Sequence, residues 1–122
     1  MKIETFKKNK SGDCYRTLED YTYPAFKGCP SFTVPAGFEF DGASVPALLQ
    51  LGVFSSGDTR VLDGALGHDF IYRTHPKDWT RKRADEFFYK SIRDNGISWW
   101  RAKKAYWGLR LFGHKAWEAN FK

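Results

Sequence analysis

Cysteine is nearly absent from this chain of 122 residues, which holds two, Cys14 and Cys29. They are too few for a disulfide scaffold, and they form neither a CxxC pair nor a metal-finger spacing. Both lie in the first quarter of the chain, so a single bridge is geometrically open. The reading adopted is two free thiols in a reducing compartment. No run of about 18 apolar residues occurs, which excludes a membrane-spanning helix. The start, Met1-Lys2-Ile3-Glu4, alternates charge with apolarity, so no secretory leader is expected. Internal repeats, linkers and low-complexity tracts are missing too.

What is present suits one domain spanning 1–122. Hydrophobic residues make up 42% and aromatic residues 18%. Aromatic side chains bury much area each, so the core is expected to use Phe, Tyr and Trp more than Leu and Ile. The net charge of +6 is unevenly placed: residues 1–58 carry 6 Lys/Arg against 7 Asp/Glu, and residues 59–122 carry 14 against 7. The basic half could face nucleic acid, a phospholipid surface or an acidic protein, or it could simply solvate helix faces.

The first forty residues read as strands. Ile3 to Lys8 and Cys14 to Tyr23 are rich in Thr, Tyr and Phe, and Lys10-Ser11-Gly12-Asp13 is a turn signal between them. Ser31 to Pro35 and Phe38 to Phe40 are two further short stretches. The period then changes. Pro46 can open a short helix through Leu51, with Ser44 as its cap. A second helix, capped by Asp58 or Thr59, runs to about Arg73, with Val61, Leu62, Ala65, Leu66, Phe70 and Ile71 at helical spacing. Thr80 caps a third over about 81–94, whose inner stripe is Ala84, Phe87, Phe88 and Ile92, and Asn95-Gly96 stops it. Ser98 caps a fourth through roughly Phe112, and Gly113 breaks it. The fold class is therefore α+β: antiparallel strands and hairpins, mainly over 1–45, then a three- to four-helix half over 46–122 packed on them.

The chemically loaded stretch is His68-Asp69-Phe70-Ile71-Tyr72-Arg73, with Asp85 on the next helix. Imidazoles and carboxylates on apolar faces are costly to bury unless paired, hydrogen-bonded or bound to metal. His68 and Tyr72, four apart, share a helix face, and Asp69 lies about 100° around it. Gly67 leaves room for a neighbour or ligand to approach. A short loop makes the two helices antiparallel, so Asp85 can reach His68 or Tyr72. Asp85 would then orient the imidazole, Asp69 would bind a cation, and His68 would activate water as a general base. The competing reading is a packing network of the same residues.

Two other segments stand out. In Phe40-Asp41-Gly42-Ala43-Ser44-Val45-Pro46, Asp41 and nearby carbonyls offer the hard oxygens that calcium prefers; the plainer reading is a strand-to-helix corner. In Trp99 to Trp107, one face holds Trp100, Lys104 and Trp107, and another holds Trp99, Lys103 and Tyr106. Trp100, Arg101 and Lys104 are the candidate binding residues, for single-stranded nucleic acid by stacking or for a membrane interface. The expectation is that one aromatic stripe is core and the bases are solvated. His75 and His114 show no partner in the sequence.

The order Phe40-Asp41-Gly42-Ala43-Ser44-Val45-Pro46, Gly67-His68-Asp69-Phe70-Ile71-Tyr72-Arg73, Ala84-Asp85 with Phe88, and the Trp100-to-Phe112 helix resembles the small phage and prophage proteins grouped as domain of unknown function 1353. That resemblance implies a phage or prophage source and no set activity. His-Asp-x-x-Tyr with an Asp on the next helix also resembles the active site of phospholipases A2. It implies His68 as base, Asp69 as calcium ligand, and Tyr72 and Asp85 as supports of the histidine. The glycine-rich calcium loop of those enzymes is not recognisable here, and only the Asp41 segment could replace it.

The function expected first is a phage accessory protein with a calcium-assisted hydrolase-like site acting on the host envelope. The alternative is a non-enzymatic virion or tail-associated protein that contacts other phage structural proteins. A third is an anti-host factor binding an anionic partner. The expected location is the host bacterial cytoplasm, the virion, or both.

Overall fold

β-branched and aromatic residues of the first forty positions pair into short antiparallel strands. The computed structural model describes residues 2–7, 13–40 and 59–119. Most of the Lys10-to-Asp13 turn, the Asp41 corner, the Pro46 helix and the Asp58 cap lie outside the described residues, and Thr59 is the first residue of the helix that follows. Strands β1 (Ile3–Lys7), β2 (Asp13–Thr17) and β5 (Glu39–Phe40) form one sheet in the order β1-β2-β5, and β3 (Tyr21–Tyr23) pairs with β4 (Phe32–Val34) in a second. Phe6 faces Cys14, Tyr15 faces Phe40, and Tyr23 faces Phe32 across the ladders.

The Cys14-to-Tyr23 stretch is thus two strands in different sheets, not one. Thr17 is the corner. Its hydroxyl donates to Pro35 O at 2.9 Å and accepts from Phe38 N at 2.9 Å, while Asp20 Oδ1 takes Ala36 N at 2.8 Å. Those side-chain bonds compete with continued pairing and let the chain leave the first sheet.

Four helices follow among the described residues: α1 (Thr59–Thr74), α2 (Arg81–Asp94), α3 (Trp99–Phe112) and α4 (His114–Glu118). Thr80 caps α2 as expected, its side chain accepting from Arg83 N at 3.1 Å. Ser98 occupies the N-cap position of α3 but makes no capping bond. Gly96, with φ +97, ends α2 in the left-handed region that suits glycine. No helix is long and apolar enough to cross a membrane among the described residues. Both cysteines are buried free thiols.

Two apolar clusters form. The sheets and the inner sides of α1 and α2 enclose Tyr23, Phe32, Phe40, Trp79 and Phe87 with Leu66 and Ile71, an aromatic core as expected. A second cluster, between α1, α2 and α3, is mostly aliphatic: Val61, Ala65, Ile92, Ile97, Ala102, Ala105 and Leu109 around Phe88. Ala84, Phe87, Phe88 and Ile92 are all buried, as the α2 stripe requires.

Two glycines on one face of α1 set its distance from α2. A Cβ on Gly64 would lie 2.9 Å from Ser91 Oγ, and one on Gly67 would lie 2.7 Å from Phe87 Cε1. The pairing of 64 with 91 and of 67 with 87 makes the helices antiparallel. The Phe87 ring cannot yield, because Tyr23, Phe26, Phe32 and Trp79 all pack against it. Gly67→Ala should therefore cost about 1–3 kcal/mol through overpacking, against a helix-propensity gain of up to about 1 kcal/mol. Urea denaturation checks the net loss; a more stable variant would mean the helices part freely.

Candidate active site

The close approach of α1 and α2 brings His68 and Asp85 together between the two clusters. His68 Nε2 lies 2.8 Å from Asp85 Oδ1, and the Tyr72 hydroxyl donates to the same oxygen at 2.6 Å. The other oxygen, Oδ2, accepts from Arg110 Nη1 at 2.9 Å, with Arg81 Nη1 at 3.6 Å. His68 is 1% exposed and Asp85 0%. The imidazole is held between the Tyr72 ring, 4.1 Å away, and the Phe88 ring, 5.6 Å away.

Burial pushes the Asp85 carboxyl up. The bond and charge of His68, then the bonds from Tyr72 and Arg110, more than reverse this and hold it below the ordinary carboxylate range. Burial, and then the adjacent Asp85 charge, pushes the Tyr72 phenol well above its usual range, so it stays protonated and donates. An ionised carboxylate only accepts, so the His68 nitrogen bonded to it, Nε2, carries hydrogen. In the neutral ring Nδ1 is then the basic atom.

Asp69, next to His68 in the chain, is also buried. Asp41, its expected companion, lies outside the described residues. Among the described residues no group of three or more His, Cys, Asp or Glu side chains is placed to share a metal ion.

The α3 helix departs from expectation. Its buried line is Ala102, Ala105, Gly108 and Leu109, while Trp99, Trp100 and Trp107 are 60%, 57% and 59% exposed. Small residues let α3 lie close to α2, and that rotation turns the tryptophans outward. Of the three candidate binding residues, Trp100 and Lys104 are exposed and Arg101 is half-buried. Lys104 Nζ stands 5.6 Å from the Trp100 ring.

Arg81 and Arg110 were not legible as site residues. Arg81 could have been found as an i,i+4 partner of Asp85. It also donates to Leu109 O at 3.0 Å and Arg110 O at 3.3 Å, binding the carbonyl end of α3. Arg110 reaches Asp85 only because of the rotation of α3. His75, read as partnerless, stacks on Trp117 with ring centres 3.9 Å apart. Trp117 in turn meets the Tyr72 ring edge-on at 5.3 Å.

The profile of the family described as Protein of unknown function (DUF1353) matches residues 15–109. A protein of Sinorhizobium fredii (strain NBRC 101917 / NGR234), named "Uncharacterized protein y4jT", is 31% identical over 80 residues, which is 66% of this chain and 23% of that protein. The chain thus spans less than a quarter of that relative's length. No solved structure matches.

Asp85→Asn keeps the shape and removes the charge that compensates two arginines. The expected loss is about 3 kcal/mol, at the low end for a buried pair because Arg81 and Arg110 retain some water. The sign of the pH effect follows from the lowered carboxyl. Its stabilisation is complete above the unfolded value near 4 and fades as pH falls through the folded one. Urea melts between about pH 5 and pH 3 should fall more steeply for wild type than for Asp85→Asn; parallel curves would contradict an ionised hub.

Proposed function

The chain belongs to the DUF1353 family, and we propose that its His68–Asp85 pair is the base of a phospholipase A2-like ester hydrolase, carried by a phage or prophage and directed at the host envelope. One observation carries the reading. A single oxygen, Asp85 Oδ1, accepts from both His68 Nε2 and Tyr72 OH, with Asp69 beside the histidine. This is the arrangement that the phospholipase A2 resemblance implies.

The chemistry assigned to the chain's own residues is general-base hydrolysis. With His68 1% exposed, this reading requires the packing around the ring to open and admit water and ester; His68 Nδ1 then takes a proton from water as the water oxygen attacks the ester carbonyl carbon. Asp85 stabilises the imidazolium through Nε2–H, and Tyr72 and Arg110 keep that carboxylate ionised and aimed. The ester C–O bond breaks, and the proton passes from Nδ1 to the departing alkoxide. Calcium, if bound, would be held by Asp69 and would polarise the ester carbonyl.

A second reading is favoured by the exposures of 1% and 0% at His68 and Asp85. In it, the same atoms are a structural lock in a virion or assembly protein. Both readings make His68 costly to remove: His68→Ala should lower stability by about 1–3 kcal/mol by taking one donor from the buried Asp85 carboxylate and leaving a gap between the Tyr72 and Phe88 rings. They part on activity. With a dispersed short-chain phospholipid, wild type should release fatty acid. His68→Gln, still folded by circular dichroism, should be slower by about 100-fold or more. Asp69→Asn should be compared in calcium and in chelator. A folded wild type that releases nothing with or without calcium would sink the hydrolase and leave the lock.

A further inference from the structure

Among the described residues, five of the six exposed large apolar side chains, all but Leu18, stand on α3. Trp100, Trp107, Leu111 and Phe112 are 57%, 59%, 65% and 58% exposed. Positions 100, 104, 107 and 111 follow one another at helical spacing and stand on one face. Singly exposed apolar side chains are ordinary, but a contiguous set of this size marks a contact surface. Basic side chains are interleaved with it: Lys104 Nζ lies 5.6 Å from the Trp100 ring centre, and Lys103 Nζ 5.1 Å from that of Tyr89. The α3 sequence, WWRAKKAYWGLRLF, contains four bases and no acid.

We infer that this face of α3 seats in the headgroup region of an anionic phospholipid surface. The inference rests on the envelope-directed reading for its purpose. Charge complementarity and side-chain chemistry select the partner. Tryptophan has an apolar body and a polar N–H, which suits the boundary between water and acyl chains. Lys103 and Lys104 meet lipid phosphates while their stems lie along the apolar surface. Leu111 has no π face on which a base could stack, so its place in the row favours lipid over single-stranded nucleic acid. The seat also lies close to the chemistry. A flank of the same helix carries Arg110, seven residues after Lys103, which donates to Asp85 at 2.9 Å.

The test is sedimentation of the full chain with vesicles of phosphatidylcholine, alone or with one third phosphatidylglycerol, alongside tryptophan emission. Wild type should bind the anionic vesicles at least about tenfold more tightly, with a blue-shifted emission and a loss of binding as salt rises. The pair Lys103→Glu and Lys104→Glu should abolish the preference. The pair Trp100→Ala and Trp107→Ala should weaken binding about tenfold or more. All four positions are at least partly exposed, and an unchanged circular dichroism spectrum confirms that the variants fold. No binding to anionic vesicles, tighter binding to single-stranded DNA than to vesicles, or a dimer in solution that shields the tryptophans would each overturn the inference. His68→Gln separates the two proposals. A protein that hydrolyses dispersed ester but ignores vesicles refutes only the docking surface. One that binds vesicles equally with and without His68, yet hydrolyses nothing, refutes only the enzyme.

Discussion

An ionised carboxylate with no exposure to water is the constraint around which the helical half is organised. Burying such a group costs several kcal/mol unless donors replace the lost solvent. Asp85 receives them from three directions: His68 and Tyr72 on α1, Arg110 on α3, and Arg81 one turn back on its own helix. The bonds from His68, Tyr72 and Arg110 fix α1 and α3 against α2. Gly64 and Gly67 make the first two possible by letting α1 lie against α2, and the Ala102-Ala105-Gly108 line makes the third possible by doing the same for α3. Arg81 does a further job, since its guanidinium also binds the Leu109 and Arg110 carbonyls at the end of α3.

This polar group lies at the seam of two dry clusters. The His68 ring touches Tyr72, which belongs to the aromatic cluster, and Phe88, which belongs to the aliphatic one. Low polarity around the seam strengthens every bond within it. The atoms that could move a proton are therefore the atoms that hold three helices in register. Chemistry and stability draw on one set of side chains here, so a substitution at His68 or Asp85 speaks to both at once.

Much of this was legible from the residues. The strands-then-helices order, the α2 bounds at 81 and 94, the Thr80 cap and the meeting of His68 with Asp85 all followed from local periodicity and from polar groups standing on apolar faces. What escaped has a common cause in helix rotation and long-range contact. On α3 an aromatic stripe and a small-residue stripe both have helical spacing. Bulk favours burying the tryptophans, whereas close helix approach favours burying the alanines. The second effect prevailed, and only the neighbouring helix could decide it. Arg110 joins the site for the same reason. The break between β2 and β3 depends on bonds from Thr17 and Asp20 to residues 16–21 positions away, which no window of alternating residues reveals.

The loop between α1 and α2 carries a compromise of its own. His75 has φ +46 and Asp78 φ +69, both in the left-handed region that residues with a Cβ enter at a cost. Glycine would relax the backbone at 75. It would also remove the imidazole that stacks on Trp117 and the Nε2 contact at 3.1 Å to Trp117 O. That stack is the tether of the last helix, and through Trp117 it fixes the cover on Tyr72. Position 75 is thus a place where local comfort and long-range anchorage pull in opposite directions. The backbone concedes, and the helix His114–Glu118 is clasped to the middle of the chain by the side chain that glycine would lack.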